Sequence, residues 1–213
     1  MKMIRLLKKA VKGCWFSFWG HFFALFYYDR KYLTGKWFSG KFGGLCSTGW
    51  EWTAKDGFAR LLLGTNKGVP FPVSSRINVV EPQNITFHPD DLNNFQTTGN
   101  YFQAIGKITI GRGTYIAPNV GIITANHDQA DLDAHLPAKP VVLGEKCWIG
   151  MNSMILPGVT LGAHTIVGAG AVVTKSFPDG YCVVAGNPAK VLRTISTEDF
   201  GKENVNDFGQ SAQ

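Results

Sequence analysis

From Ile110 to Pro178 the chain repeats in sixes, and that register excludes both common periodic structures. Each unit opens on an aliphatic residue: Ile110, Ile116, Ile122, Leu143, Ile149, Ile155, Leu161, Val167 and Val173. The second position is Gly or Ala at Gly111, Ala117, Gly144, Gly150, Gly162 and Gly168. The fifth is small or β-branched at Thr114, Val120, Cys147, Ser153, Val159, Thr165 and Ala171, with Asn126 and Phe177 as exceptions. A helix repeats its face roughly every 3.6 residues and a strand roughly every 2, so neither sustains this pattern. A short fixed period held this long marks a solenoid. The geometry that fits is a parallel β-helix with one flat side per hexad and three sides per coil.

In such a prism each opening aliphatic points inward and stacks on its counterpart one coil away, about 4.8 Å along the axis. The fifth residue is small because three sides converge on a narrow interior. Glycine beside the opener suits a tight corner, where positive φ or close backbone approach is needed. No helix packs on the coil, so the handedness rule for strand crossovers does not apply. The hexad resembles that of left-handed β-helices, which implies that hand. The expected fold class is all-β: a left-handed parallel β-helix with an aromatic-rich, helical N-terminal extension. Residues 1–75 form the extension, 76–195 the β-helix and 196–213 a polar tail.

One break in the register matters as much as the repeat. Three hexads fill residues 110–127 and end on His127, and the next begins at Leu143. The 15 residues from Asp128 to Val142 therefore loop out, carrying Asp131, Asp133 and His135 and closing on Pro137 and Pro140. Loops this long in a compact repeat are usually functional or disordered.

Charge is concentrated at one end. The net charge is +6, and Lys2, Arg5, Lys8, Lys9 and Lys12 supply most of it with no acid among them. No recognisable nucleic-acid module accompanies the basic residues. Ile4, Leu7 and Val11 share a helical face with Leu6 and Ala10 beside them, and nine aromatics follow between Cys14 and Tyr28. That run is short for a membrane span and lacks the small-residue site of a signal peptide. It reads either as a helix packed on the protein's own subunits or as an interfacial anchor on an anionic membrane. A second helix is expected from Trp50 to Leu63, capped by Thr48 and ended by Gly64. From Ile77 to Phe102 the hexad is degenerate, consistent with a first coil or two. Cys14, Cys46, Cys147 and Cys182 lie far apart, so neither a disulfide framework nor a zinc ribbon is indicated, and Cys147 reads as a small core residue.

The run "IAPNVGIITANHD", then "KPVVLGEKCWIGMNSMILPGVTLGAHTIVGAGAVVTKSFPDG", then "VVAGNPAKVLRTI" resembles the hexapeptide-repeat acyltransferases. It is most similar to the sugar and polysaccharide O-acetyltransferases related to maltose and galactoside acetyltransferase. The likeness covers residues 105–195. It implies transfer of an acetyl group from acetyl-CoA to a sugar hydroxyl, in surface polysaccharide biosynthesis, by a cytoplasmic homotrimer. A CoA-dependent transfer needs a base near neutrality, which histidine supplies. By resemblance His127 is the general base and Asn119 the acceptor-site asparagine, though Asn119 also suits a left-handed turn. Asn126 and Asp128 flank the base as candidates to orient it or the acceptor. The positions matching the cofactor site are Trp148, Gly150, Met151, Ala169 and Thr174, with Ala169 standing for an inward small residue near the thioester. Lys175, Lys190 and Arg193 are candidates for the phosphates of coenzyme A, or a solvated basic end.

Two other classes share the repeat. A β-helical carbonic anhydrase would place His127, His135 and His164 on zinc, yet the paired histidines separated by four residues that mark it are absent. A non-catalytic assembly module would use neither His127 nor the basic group. Serine or another small hydroxyl compound is an alternative acceptor.

Overall fold

The computed structural model describes residues 2–39, 44 and 47–196. The polar tail expected beyond 196 lies outside them.

The repeat folds into coils whose strands distribute over three parallel sheets. The first coil holds β1 (Asn78–Val80) and β2 (Ile85–Thr86), and a 3-10 segment, Pro89–Phe95, replaces its third strand. The second has β3 (Tyr101–Gln103), β4 (Ile108–Ile110) and β5 (Tyr115–Ile116). The third has β6 (Gly121–Ile123), β7 (Val141–Leu143) and β8 (Trp148–Ile149). The fourth has β9 (Met154–Ile155), β10 (Thr160–Leu161) and β11 (Ile166–Val167). The last has β12 (Val172–Val173), a bridge from Phe177 to Leu161, and β13 (Cys182–Ala185), against which β14 (Lys190–Thr194) turns back antiparallel. The first face is β1-β3-β6-β9-β12, the second β2-β4-β7-β10 and the third β5-β8-β11-β13-β14. Ile116 pairs with Ile149, Ile149 with Val167 and Val167 with Val184, so the openers stack inside as the repeat requires. Ile122, Ile149, Ile155 and Val173 are fully buried. Cys147 is buried too, which pushes its thiol pKa up.

The corners divide the work that glycine was expected to do at one position. Positive φ falls on the fourth residue of the hexad: Gly113, Asn119, Lys146, Asn152, Gly158, His164 and Gly170. The second-position glycines instead permit close stacking. A Cβ on Gly144 would lie 2.6 Å from the Ala163 nitrogen, and one on Gly150 would lie 2.5 Å from the Val167 oxygen.

The first coil is degenerate in sequence because side chains replace backbone there. The Asn94 amide donates to Thr114 O at 2.8 Å and accepts from Ile116 N at 2.9 Å. Asn100 accepts from Val120 N at 3.0 Å. Amide side chains thus pair an edge that would otherwise be open.

Residues Lys2–Tyr27 form one helix, α1, and Thr48–Leu63 form α2. Ser47, not Thr48, caps α2: its Oγ accepts the Trp50 N–H at 3.3 Å, because the helix begins at Thr48, two residues before the expected Trp50. Gly64 ends it in the left-handed region, φ 68°. A buried pair, Asp56 and Arg60 at 2.8 Å, joins α2 to the link that follows. Arg60 donates to Val69 O and Phe71 O, and Asp56 accepts from Val73 N and Tyr28 Oη. Phe71 and Val73 then enter the same core as the β-helix openers.

Candidate active site

The wall of the third coil ends at Thr124, three residues before His127. Thr124 O accepts the Lys139 N–H at 2.7 Å, and its Oγ1 accepts from Gly106 N at 2.8 Å. Between these anchors the chain leaves the prism as a paired excursion. Leu136 N donates to Asn126 O and Asp128 N to Ala134 O, both at 2.9 Å. His127 and His135 face each other across this ladder, their rings 4.2 Å apart. Asp128 and Asp131 shape the tip by accepting the N–H groups of Ala130 and Asp133. The carboxylate of Asp128 is therefore engaged in the turn.

His127 is exposed, and its Nδ1 lies 2.7 Å from the Leu132 carbonyl. A carbonyl oxygen only accepts, so Nδ1 carries the proton and Nε2 of the neutral ring holds a free lone pair. The loop's own backbone holds the ring through this bond, and among the described residues no acidic side chain pairs with it. His135, which the sequence joins to His127 only in the zinc alternative, is its aromatic neighbour. The signal was present in the turn-forming Asp128, Asp131 and Asp133 between them, which favour a hairpin.

The remaining predicted residues follow two edges of the prism. Asn119, Gly150, Met151 and Ala169 line the edge between the third and first faces, where Asn152 N donates to Pro118 O and Gly170 N to Met151 O at 2.8 Å. Asn119 sits in the left-handed region, φ 58°, as one of the recurring corner residues. Ala169 faces solvent, so it is not the inward small residue; that place belongs to Ala171, fully buried, because the fifth position and not the third turns into the core. Trp148 is 57% exposed on the third face, between Tyr115 and Ile166 of adjacent coils. Lys190 and Arg193 lie on β14 of that face, opposite Ala185 and Val183. Thr174 and Lys175 follow β12 at the edge between the first and second faces, from which the His127 loop departs. In one chain His127 and Trp148 thus stand on either side of the first face.

The three histidines of a zinc site do not gather. His164 is a corner residue with φ 56°, stacked on Tyr181 at 4.8 Å, and burial followed by the Lys146 charge holds its pKa below the ordinary value. Among the described residues no three His, Cys, Asp or Glu side chains are grouped to hold a metal.

Residues 140–175 match the family model for the bacterial transferase hexapeptide (six repeats). A protein of Escherichia coli K12 named as a colanic acid biosynthesis acetyltransferase, WcaF, is 33% identical over 155 residues, 70% of this chain and 79% of that protein. The chain belongs to the hexapeptide-repeat acetyltransferase family. A Saccharomyces cerevisiae relative, also named as an acetyltransferase, is 41% identical over 102 residues. The match covers 46% of this chain and about half, 51%, of the yeast protein. Among solved structures, a maltose O-acetyltransferase from Clostridium difficile 630 is 33% identical, covering 56% of this chain and 67% of that one, with a TM-score of 0.45.

Proposed function

We propose that this protein transfers the acetyl group of acetyl-CoA to a hydroxyl of a sugar in surface polysaccharide assembly, with His127 as general base. The observation that carries the proposal is the Nδ1 bond of His127 to Leu132 O at 2.7 Å, which leaves Nε2 as the acceptor. Acetyl-CoA supplies an activated thioester carbonyl. His127 takes the acceptor's hydroxyl proton as its oxygen bonds to the acetyl carbon. The carbon–sulfur bond breaks, and His127 returns the proton to the departing sulfur. Charge and proton balance without a metal or a further reactant. The family relationship to WcaF supports a polysaccharide acceptor, and a CoA donor suits the cytoplasm.

Trp148, Gly150, Met151, Ala169 and Thr174 are proposed to line the pantetheine path, and Lys175, Lys190 and Arg193 to meet the phosphates. Asn119 and Asn126 would contact the acceptor, with Asp128 shaping the loop beside it. The coil is taken as left-handed, the hand its hexad resembles.

Because His127 stands at the edge between the first and second faces and Trp148 on the third face of one chain, the site needs two chains. A homotrimer of three-sided prisms would bring the His127 edge of one subunit to the Trp148 edge of the next. Light scattering at micromolar concentration tests this, with a trimer mass expected and a monomer mass contradicting it. Thiol release from acetyl-CoA across a panel of sugar, serine and lipid-linked sugar acceptors tests the reaction. Release that depends on a sugar hydroxyl is expected. Release with serine alone, or none with any acceptor, would overturn the assignment.

A further inference from the structure

Helix α1 carries two apolar faces, and the fold uses one of them. Gly13, Gly20 and Phe23 are buried, and Phe16, Trp19 and Tyr27 are partly so, on the side that meets α2. A Cβ on Gly20 would lie 2.7 Å from Trp50 O, and the Phe58 ring lies 4.9 Å from that of Phe23 and 5.2 Å from that of Trp19. The opposite side holds Leu7, Val11, Phe18, Phe22, Leu25 and Phe26, all exposed and aligned along one face. Leu7 is 66%, Phe18 65% and Leu25 73% exposed. Cys14, Ser17, Phe18, His21, Phe22 and Leu25 line a shallow apolar groove there. The helix of 26 residues is about 39 Å long, and the stripe from Leu7 to Phe26 covers about 30 Å of it.

We propose that this face docks in the plane of an anionic lipid bilayer. None of the described helices is long and apolar enough to cross a membrane, so the stripe would lie along the surface. Its partner must accept apolar and aromatic side chains beside positive charge. Residues 1–28 contain five Lys or Arg and no acid, and the first acidic residue is Asp29. Lys12 finds a countercharge 3.8 Å away in Glu51 of α2, a residue that also pairs with Lys55 at 2.7 Å. A second copy of α1 would bring a like charge and no carboxylate. Phosphate headgroups over acyl chains supply both requirements, with aromatic rings at the boundary between them.

Flotation of the full chain with phosphatidylglycerol vesicles tests the proposal against phosphatidylcholine vesicles. Binding to the former, weakened by salt, is expected, as is a loss of about tenfold or more in Leu7→Gln/Phe18→Gln/Leu25→Gln with an unchanged circular dichroism spectrum. Equal binding by variant and parent, or no binding by the parent, would overturn it. Trp15 lies at the margin of this stripe, 48% exposed and stacked on Phe58 at 5.4 Å. Should the triple variant fold poorly, bromine-labelled phosphatidylglycerol on the unaltered protein decides: quenching that Trp15→Phe reduces is expected, and its absence overturns the proposal. A triple variant that loses its oligomeric mass, with a parent that ignores vesicles, would assign the face to a subunit contact instead.

Discussion

The side-chain oxygen of Asn94 accepts the Ile116 N–H at 2.9 Å, so an amide stands where the third strand of the first coil would be. The same amide donates to Thr114 O at 2.8 Å, and Asn94 is fully buried. Asn94→Ala leaves a buried N–H and a buried C=O unpaired, each costing about 1–3 kcal/mol. The urea midpoint should fall by a corresponding amount with an unchanged slope. An unaltered midpoint would mean that water can reach and satisfy this edge.

Asp90 ties the segment after α1 to the β-helix. Its carboxylate accepts from Lys36 N at 2.8 Å and from Arg112 at 3.2 Å, and its backbone oxygen accepts from the Trp37 indole at 2.7 Å. The Lys36 N–H, with the charges of His88, Lys36 and Arg112 assisting against a burial cost, holds the Asp90 carboxyl below its usual range. A depressed folded-state value stabilises above the unfolded value, about 3.9, and that contribution is lost as pH falls through the folded value. The stability difference between parent and Asp90→Asn should be constant from neutrality to about pH 5 and close in stronger acid. A gap that survives in strong acid would contradict the charge-based account.

The clean coils were legible because every opener, from Ile110 to Val173, fills an equivalent slot in one interior. The family followed from the same stretch. The first coil was not, since Asn94 and Asn100 do with side chains what the repeat does with backbone. Nor was the corner position: positive φ is carried by Gly113, Asn119, Lys146 and His164 alike, so no composition marks it. Ala169 and Ala171 are both small, and only the coil's geometry says which turns inward. The pairing of His127 with His135 is set across a hairpin, which six-residue spacing does not encode. Helix α1 defeats periodicity for a simpler reason: both of its faces are apolar, and Gly20 and Phe23 show which one packs.

Lys175 and Arg193 test the phosphate assignment. Their joint replacement by Ala should raise the KM for acetyl-CoA with kcat little changed, since each charge-assisted contact is worth about 1.5–3 kcal/mol. Dephospho-CoA thioester should already bind the parent less well, and the mutant should lose most of that discrimination. Identical behaviour of both donors before and after mutation would make the pair a solvated end.

His135 stacks near His127 without sharing its Leu132 bond. His135→Ala should lower turnover through a less constrained His127 ring, by far less than loss of His127 itself. A loss equal to that of His127→Ala would make the two histidines a working pair.

The central claim is that His127 removes the acceptor's proton. Steady-state thiol release by His127→Ala, with acetyl-CoA affinity measured in parallel, addresses it most directly. Turnover should fall by about 10²–10⁴-fold, the usual worth of a positioned base, with donor affinity almost unchanged. Undiminished turnover in His127→Ala would contradict the claim and leave the β-helix as scaffold for another chemistry.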